Sequence, residues 1–307
     1  MMNNIALRQN EERFIEMLAA QRQLYSDHKR RMYMWLGVVA AFAVIGSLSI
    51  PVLKVPMAIG AVVLIVLEFF LMPRTDRLRT DAARIQELFD SEVLELPWNR
   101  TLTSRPLVEV IKTSAVKHLE GKKGKENRAE LIEWYDSPDV PEHPLYRARI
   151  ICQRENIWWD KTQRKKYADG MLILMLLLFI LIVFFGFVPK FSLDSFNANV
   201  VLVSLPLIVL LIKHYMEHKA ATTRLEELHI AVEALWNDSM DAVHDEERGE
   251  VERRSREIQT EIYHHRIANP PVLDEVYKRF KKQLESFSQT SGSFGGKTDE
   301  TPTDAGK

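Results

Sequence analysis

The sequence has little of what marks secreted or nucleic-acid-binding proteins. Its single cysteine, Cys152, excludes an internal disulfide and is typical of a reducing compartment. Its 41 basic and 42 acidic residues nearly cancel, so the strong basic excess expected of a nucleic-acid-binding protein is missing. We therefore expect neither a disulfide-stabilised secreted domain nor a nucleic-acid partner.

Catalytic motifs are scarce as well. Segment 292–298 is similar to a phosphate-binding loop, but Ser291 stands at its first glycine position and no helix-forming run follows. Segment 214–218, His-Tyr-Met-Glu-His, matches a zinc-binding pattern with two imidazoles one helical turn apart. It also follows an apolar run, where His and Tyr suit the membrane interface. We interpret it as interfacial and expect no enzyme, metal or cofactor.

Long apolar runs dominate the rest of the sequence. Four of them occur, and nearly all approach the 17–25 residues that a bilayer-spanning helix needs. They are Met32–Ile50, Val55–Met72, Gly170–Val188 and Asn199–Ile212. We predict an all-α membrane protein whose four transmembrane helices form two hairpins, with long cytosolic helical extensions and a small cytosolic cap.

The two hairpins share a lead-in pattern. Residues 21–27 are Gln-Arg-Gln-Leu-Tyr-Ser-Asp, and residues 163–169 are Gln-Arg-Lys-Lys-Tyr-Ala-Asp. The shared spacing indicates an internal duplication with both halves in one orientation; the alternative is convergence of two amphipathic lead-ins. We expect Tyr25 and Tyr167 to anchor their helices where these enter the membrane, because a tyrosine ring is apolar and its hydroxyl is polar.

Lys and Arg flank the predicted spans on one side only. They cluster before the first and third runs and after the second and fourth, whereas the two hairpin turns carry only Lys54 and Lys190. The positive-inside rule then predicts that both termini and the middle segment are cytoplasmic in a multi-pass protein of the inner (plasma) membrane.

Breaks in periodicity divide the chain into six predicted regions. A helical seam starting at Leu225 predicts a coiled-coil-like helix that runs to Asn269. The regions are a lead-in helix at 1–31, hairpin 1 at 32–72, a cytosolic helical and cap region at 73–169, hairpin 2 at 170–212, a cytosolic helical region at 213–287 and a disordered tail at 288–307.

Polar residues within the spans are candidates for a pathway or for contacts between helices. Glu68 is an isolated carboxylate in an apolar run, where a charge is costly. It either faces a pore or another helix, or it snorkels to the membrane interface without a function of its own. Ser47 and Ser204 can line the same pathway or bond to backbone. In the predicted cap, aromatic rings and cations suit a nucleotide ligand, and the candidate residues are Trp134, Trp158, Trp159 and Arg147. The alternative is a charged cap with a few buried aromatic side chains and no ligand.

Several segments outside the spans form a recognisable set: Gln9-Asn10, Leu18 to Tyr25, Glu95-Leu96-Pro97-Trp98-Asn99, Trp159-Asp160 and Asn269-Pro270-Pro271. Together they resemble a known family, the four-span pore-forming effectors called S-4TM of bacterial defence systems. The resemblance covers nearly the whole chain except its tail. It implies an effector that works beside a synthetase producing a cyclic nucleotide or oligonucleotide on phage infection. Such an effector perforates the inner membrane and stops the infected cell, as in abortive infection.

The residues themselves are compatible with that implication. Four spans cannot enclose a wide channel, so a pore requires a homo-oligomer in the lipid bilayer. A non-conducting membrane scaffold that uses the same helices for partner docking remains the alternative, and a membrane-embedded enzyme comes third.

Overall fold

A computed structural model describes residues 3–47, 52, 54–120, 123–186 and 201–272 of the chain. Its regular elements in these ranges are helical, which confirms the all-α class. The eight α-helices described are α1 Ile5–Arg8, α2 Glu12–Ser47, α3 Lys54–Val93, α4 Val108–Leu119, α5 Gly124–Ala129, α6 Leu145–Gly186, α7 Leu202–Asp241 and α8 Asp245–Ala268. A short 3-10 turn at Val140–Glu142 precedes α6.

Four helices of 36 to 42 residues each join a predicted span to an extension that was predicted to be cytosolic. No proline interrupts α2 or α6, and α3 continues through Pro73 just beyond its apolar run. Two of the four, α3 and α6, are long and apolar enough to cross a membrane by length and composition. The runs predicted in α2 and α7 extend into residues 48–50 and 199–200, which lie outside the described ranges.

The long helices pack as two pairs. Helix α2 packs along α3, and α6 packs along α7. A Cβ added at Gly60 would lie 2.8 Å from the Phe42 ring, so glycine permits this close approach of α3 to α2. Helix α7 also contacts α2 and α3, and α8 contacts α3, α6 and α7. The second pair is thereby attached to the first through α7 and α8.

Two hydrophobic cores lie outside the predicted spans. In the first, Phe14 of α2 meets Phe89 of α3 edge to face, with ring centroids 6.0 Å apart. In the second, the predicted seam of α7 is buried against α6 and α8, with Leu225, Val232 and Leu235 at its centre. These buried faces outside the predicted spans stabilise the fold, because burial of apolar area is the main favourable term in folding.

The predicted spans expose their apolar side chains instead. Phe69 of α3 is 78% exposed, and Ile173 and Phe179 of α6 are 59% and 64% exposed. Continuous apolar surface of this extent marks a surface for lipid or for another protein. The same helices therefore have buried seams at one end and lipid-compatible surfaces at the other.

The prediction of one helix from Leu225 to Asn269 is wrong. Helix α7 ends at Asp241, and α8 starts after His244. The Glu247 side chain accepts hydrogen bonds from the backbone N–H groups of Val243 and His244 at 2.8 and 2.9 Å. This capping interaction satisfies free donors at the start of α8 and separates it from α7. Three segments for which predictions were made, 189–196, 273–287 and 292–298, lie outside the described residues.

Candidate functional site

The pathway candidate Glu68 belongs to α3, and its side chain faces α7. Its carboxylate is 3.2 Å from Nζ of Lys213, and the side chains are 19% and 52% exposed. The ion pair links the second and fourth predicted spans at the ends that were predicted to face the cytosol. Ser204 donates to the carbonyl oxygen of Val201 within its own helix at 3.1 Å. Ser47 ends α2, and its side chain lies outside the described part of the chain.

A polar layer lies directly below the spans, with all four long helices contributing to it. On α2, Nδ1 of His28 is 3.0 Å from the carbonyl oxygen of Thr75 on α3. On α6, the Tyr167 ring contacts His218 of α7 edge to face, with centroids 4.5 Å apart. His28 and His218 are buried, and among the described residues their Nε2 atoms have no hydrogen-bond partner.

The zinc-like pattern at 214–218 forms one side of this layer. His214 and His218 stack with ring centroids 6.3 Å apart, and Nδ1 of His214 is 3.6 Å from the Glu217 carboxylate. Within the described residues, no three metal-ligating side chains lie close enough to hold an ion. The geometry here is that of packed imidazoles beneath the spans.

A buried cluster connects this layer to the end of α8. We call Asp160, Arg164, His218 and His265 the junction. Arg164 donates to the Asp160 carboxylate at 2.9 Å and to the carbonyl oxygen of Pro270 at 2.8 Å, and its Nη1 is 3.4 Å from Nδ1 of His218. Nε2 of His265 is 2.9 Å from the other Asp160 oxygen. One arginine thus joins α6, α7 and the residues that follow α8.

The charged groups of the junction set each other's protonation states. Burial raises the pKa of the Asp160 carboxyl, but Arg164 and His265 outweigh burial and keep that pKa below its usual range. Burial, followed by the charge of Arg164, lowers the pKa of His218 to about 3. At neutral pH Asp160 is therefore an anion and His218 is a neutral imidazole.

A second buried network lies between α3 and α8, farther from the predicted spans. The Gln259 amide donates to Glu87 at 2.9 Å and to Asp90 at 3.0 Å. Arg256 and Arg266 of α8 pair with the same two carboxylates at 2.6 and 2.5 Å. Glu87 and Asp90 are 1% and 0% exposed, so each depends on its arginine. Through these four charges α8 is attached to α3.

Sequence reasoning missed this network. Asp90 follows Phe89 and precedes Val93 by three residues, so it lies on the buried face of α3. A carboxylate on an apolar helical face was the available signal, because such a group requires a partner when it is buried. The identity of the partner, 176 residues away in Arg266, had no local signal.

The two predicted anchors have different neighbours. The Tyr25 hydroxyl donates to Gln86 on α3 at a long 3.5 Å, whereas the Tyr167 ring packs on His218 of α7. Both are partly buried between helices. Their equivalence as membrane anchors stays a prediction.

The tentative nucleotide-binding residues are distributed over separate places. Arg147 donates to the carbonyl oxygens of Ser239 and Met240, where it caps the last turn of α7. The guanidinium carbon of Arg22 lies over the Trp134 ring, 5.3 Å from the ring centroid. Trp158 and Trp159 contact each other on α6, three turns beyond Arg147. A nucleotide site built from these residues stays a prediction.

A shallow groove between α7 and α8 does not suit a phosphate, because the arginines that line it are paired with carboxylates. Arg224 and Arg254 line it, but Glu227, Glu257 and Glu261 line it as well. Arg224 is paired with Glu261 at 2.6 Å, and Arg254 is paired with Asp238. With its cations already neutralised, the groove does not favour a nucleotide anion.

Comparison with known proteins identifies relatives of this chain. The profile of a family described as "SMODS-associating 4TM effector domain" matches residues 3–291. The chain is also 26% identical over 147 residues to a protein of Bacillus cereus (strain VD146) named "Probable CBASS effector molecule IK1_05631". The match covers 48% of this chain and 47% of that protein, so the chain spans about half the length of this relative. Among solved structures there is no significant match.

Proposed function

The chain belongs to the SMODS-associating 4TM effector domain family, and we propose that it permeabilises the bacterial inner membrane during antiphage defence. The trigger in this proposal is a cyclic nucleotide or oligonucleotide made by a partner nucleotidyltransferase. The observation that carries the proposal is the family match over residues 3–291. The name of the Bacillus cereus relative, which describes a CBASS effector, supports the same role.

The continuity of the long helices supports a mechanism of activation. Helix α6 carries both Asp160 and Arg164 of the junction and the third predicted span, and α7 carries both His218 and the fourth. A ligand that shifts α8 would disturb Arg164 and His265, and a rigid helix would transmit that movement into the spans. The cytosolic event and the membrane event are thus connected by continuous backbone.

Permeation in this proposal requires several copies of the chain. The exposed apolar faces of α3 and α6 are available to lipid or to a second copy. A monomer with four spans encloses no wide channel, so an oligomer must line the pathway. Glu68 and Lys213, which link two spans at their cytosolic ends, are then the charged groups nearest to its mouth.

A second candidate function is that of a non-conducting membrane scaffold. Large apolar side chains at the cytosolic end of α7 favour it, because Ile230 is 71% exposed and Val243 is 67% exposed. Such side chains on a charged helix suit docking of another protein. The two candidates differ in ion conductance, which a scaffold lacks.

The test follows membrane potential in bacterial cells that express this chain. Cells with the chain alone, or with a catalytically inactive nucleotidyltransferase, should stay polarised and grow. Cells with the chain and the active enzyme should depolarise before they lyse. Death of cells with an intact membrane potential would refute permeabilisation and favour the scaffold. Purified protein in liposomes should conduct ions only when the product of the enzyme is added.

A further inference from the structure

Positive charge in this chain is concentrated next to the membrane. The segments that border the spans on the predicted cytosolic side are 27–31, 73–79, 161–169 and 213–219. Together they hold twelve Lys and Arg residues and four Asp and Glu residues, a net charge of +8. Because the whole chain has a net charge of −1, the remainder carries −9. The near-zero net charge of the chain therefore conceals an uneven distribution. Positive charge is concentrated beside the predicted spans, and the rest of the chain is negative.

Five of these cations are exposed and unpaired. Each of the four long helices supplies at least one. They are Arg31, Arg74, Arg77, Lys165 and Lys219. No carboxylate of the described ranges lies within ion-pair distance of any of them.

Exposed cations farther from the membrane are paired in most cases. Lys112 of α4 lies 3.3 Å from Glu16, and Arg248 and Arg253 of α8 pair with carboxylates on their own helix. An exposed cation that pairs within the protein has little need of another anion. Among the described residues Arg100, Lys123 and Lys125 are also exposed without an ion pair, but none of them borders a predicted span. The membrane-proximal set differs in that its five unpaired cations all lie beside the spans.

The distance from the bilayer suits headgroups. Arg31 directly precedes the first apolar run, and Arg74 lies two residues beyond the second. Lys165 precedes the third run by five residues, and Lys219 follows the fourth by seven. At 1.5 Å per residue these positions fall within roughly 10 Å of the hydrocarbon boundary. Long Lys and Arg side chains cover the remaining distance to the lipid phosphates.

We propose that Arg31, Arg74, Arg77, Lys165 and Lys219 form a basic belt that binds anionic phospholipid headgroups. Guanidinium groups bind phosphate through paired hydrogen bonds, and lysines add point charges. The negative surface of an anionic leaflet attracts each such residue. The belt gathers anionic lipid around the spans on the side that the Lys and Arg bias assigns to the cytosol.

The test measures which lipids the protein retains. The full chain is reconstituted in vesicles of 70% phosphatidylcholine and 30% phosphatidylglycerol and extracted in mild non-ionic detergent. The two lipids that co-purify are quantified by mass spectrometry. Wild type should be enriched in phosphatidylglycerol over the vesicle, and this enrichment should be lost stepwise toward the vesicle composition as belt cations are removed.

Matched variants separate the belt from general charge. The belt variant is Arg74→Gln/Arg77→Gln/Lys165→Gln, and the control Lys112→Gln/Arg248→Gln/Arg253→Gln removes three exposed cations outside the belt. The control should retain wild-type enrichment, and Arg74→Lys/Arg77→Lys should retain most of it because the charge remains. Equal loss in belt variant and control would overturn the proposal.

The salt dependence of lipid retention tests the belt on the wild type alone. The proposal can therefore be refuted even if a belt variant fails to insert. Enrichment of the wild type should be high at 50 mM KCl and low at 1 M KCl, because salt screens exposed charges. Retained lipid at the vesicle composition in both salts would refute the belt. This measurement needs no conductance and no nucleotide, so its failure would leave the permeabilisation proposal untouched.

Discussion

At the scale of single residues, Glu68 and Lys213 are the charged pair closest to the spans, 3.2 Å apart. In the proposed pathway each Glu68 carboxylate is balanced by Lys213, so loss of the carboxylate would leave a ring of unpaired Lys213 ammonium groups, which favours anions. We expect Glu68→Gln to insert normally and to lower the preference for potassium over chloride. The measurement is the reversal potential of protein-containing bilayers under a KCl gradient.

Exchange of the pair provides the control for Glu68. The single change Lys213→Glu places two carboxylates together and should impair assembly, whereas Glu68→Lys/Lys213→Glu restores an attractive pair and should assemble better. The matched surface variant Glu250→Gln should behave as wild type. Unchanged selectivity in both Glu68→Gln and Glu68→Leu would place the pathway elsewhere.

Glu155 predicts a pH dependence of stability. Burial, together with the nearby Asp136 carboxylate, raises the pKa of Glu155 to about 8. Because the folded state binds this proton more tightly than the unfolded state, stability is highest below the ordinary glutamate pKa and falls as pH rises toward 8. The slope is at most about 1.4 kcal/mol per pH unit.

Glu155→Gln should remove this dependence, because the amide stays neutral at every pH. The measurement is Tm in detergent between pH 5 and pH 8.5, and Glu250→Gln is the control on an exposed carboxylate. Parallel curves for wild type and Glu155→Gln would show that Glu155 titrates normally.

At the scale of elements, α8 reinforces the connection between the two pairs that α7 also makes. Arg266 neutralises Asp90, which is fully buried and also accepts a hydrogen bond from Tyr135 at 2.7 Å. Arg266→Gln would leave that carboxylate uncompensated. We expect a loss of about 3–5 kcal/mol of stability, measured by thermal or denaturant unfolding in detergent.

Arg253 on the same helix supplies the control for Arg266. Its side chain is 58% exposed, so Arg253→Gln should change stability by no more than about 0.5 kcal/mol. Asp90→Asn combined with Arg266→Gln should recover part of the loss, because no isolated charge remains. Similar stability of Arg266→Gln and Arg253→Gln would mean that α8 does not depend on this pair.

At the scale of the whole molecule, the Lys and Arg bias predicts the topology. Reporter fusions at Gly121 and at Lys307 should report the cytosol, and a fusion at Asp194 should report the opposite side. The measurement uses paired reporters, one active only in the cytosol and one active only outside it. A signal from outside at Gly121 would reverse the scheme.

Helix boundaries could be predicted from sequence because they depend on local chemistry. Helix α8 ends at Ala268, just before the predicted break at Asn269-Pro270-Pro271, since proline cannot continue a helix. The break before α8 was missed, because the apolar periodicity of α7 obscured the capping interaction of Glu247. One polar capping residue is a weaker sequence signal for the start of a helix than four apolar residues at helical spacing are for its continuation.

The amino-acid sequence by itself determined the helical class, the apolar runs, the charge bias and the family. Each of these is a property of neighbouring residues or of composition. Tertiary structure decided which polar groups meet: Arg266 with Asp90, Arg164 with Pro270 and Lys213 with Glu68. These partners are 176, 106 and 145 residues apart, so they meet only when the helices pack. Burial makes the pairing of Asp90 with Arg266 necessary, because a charge removed from water must find its counter-charge within the protein.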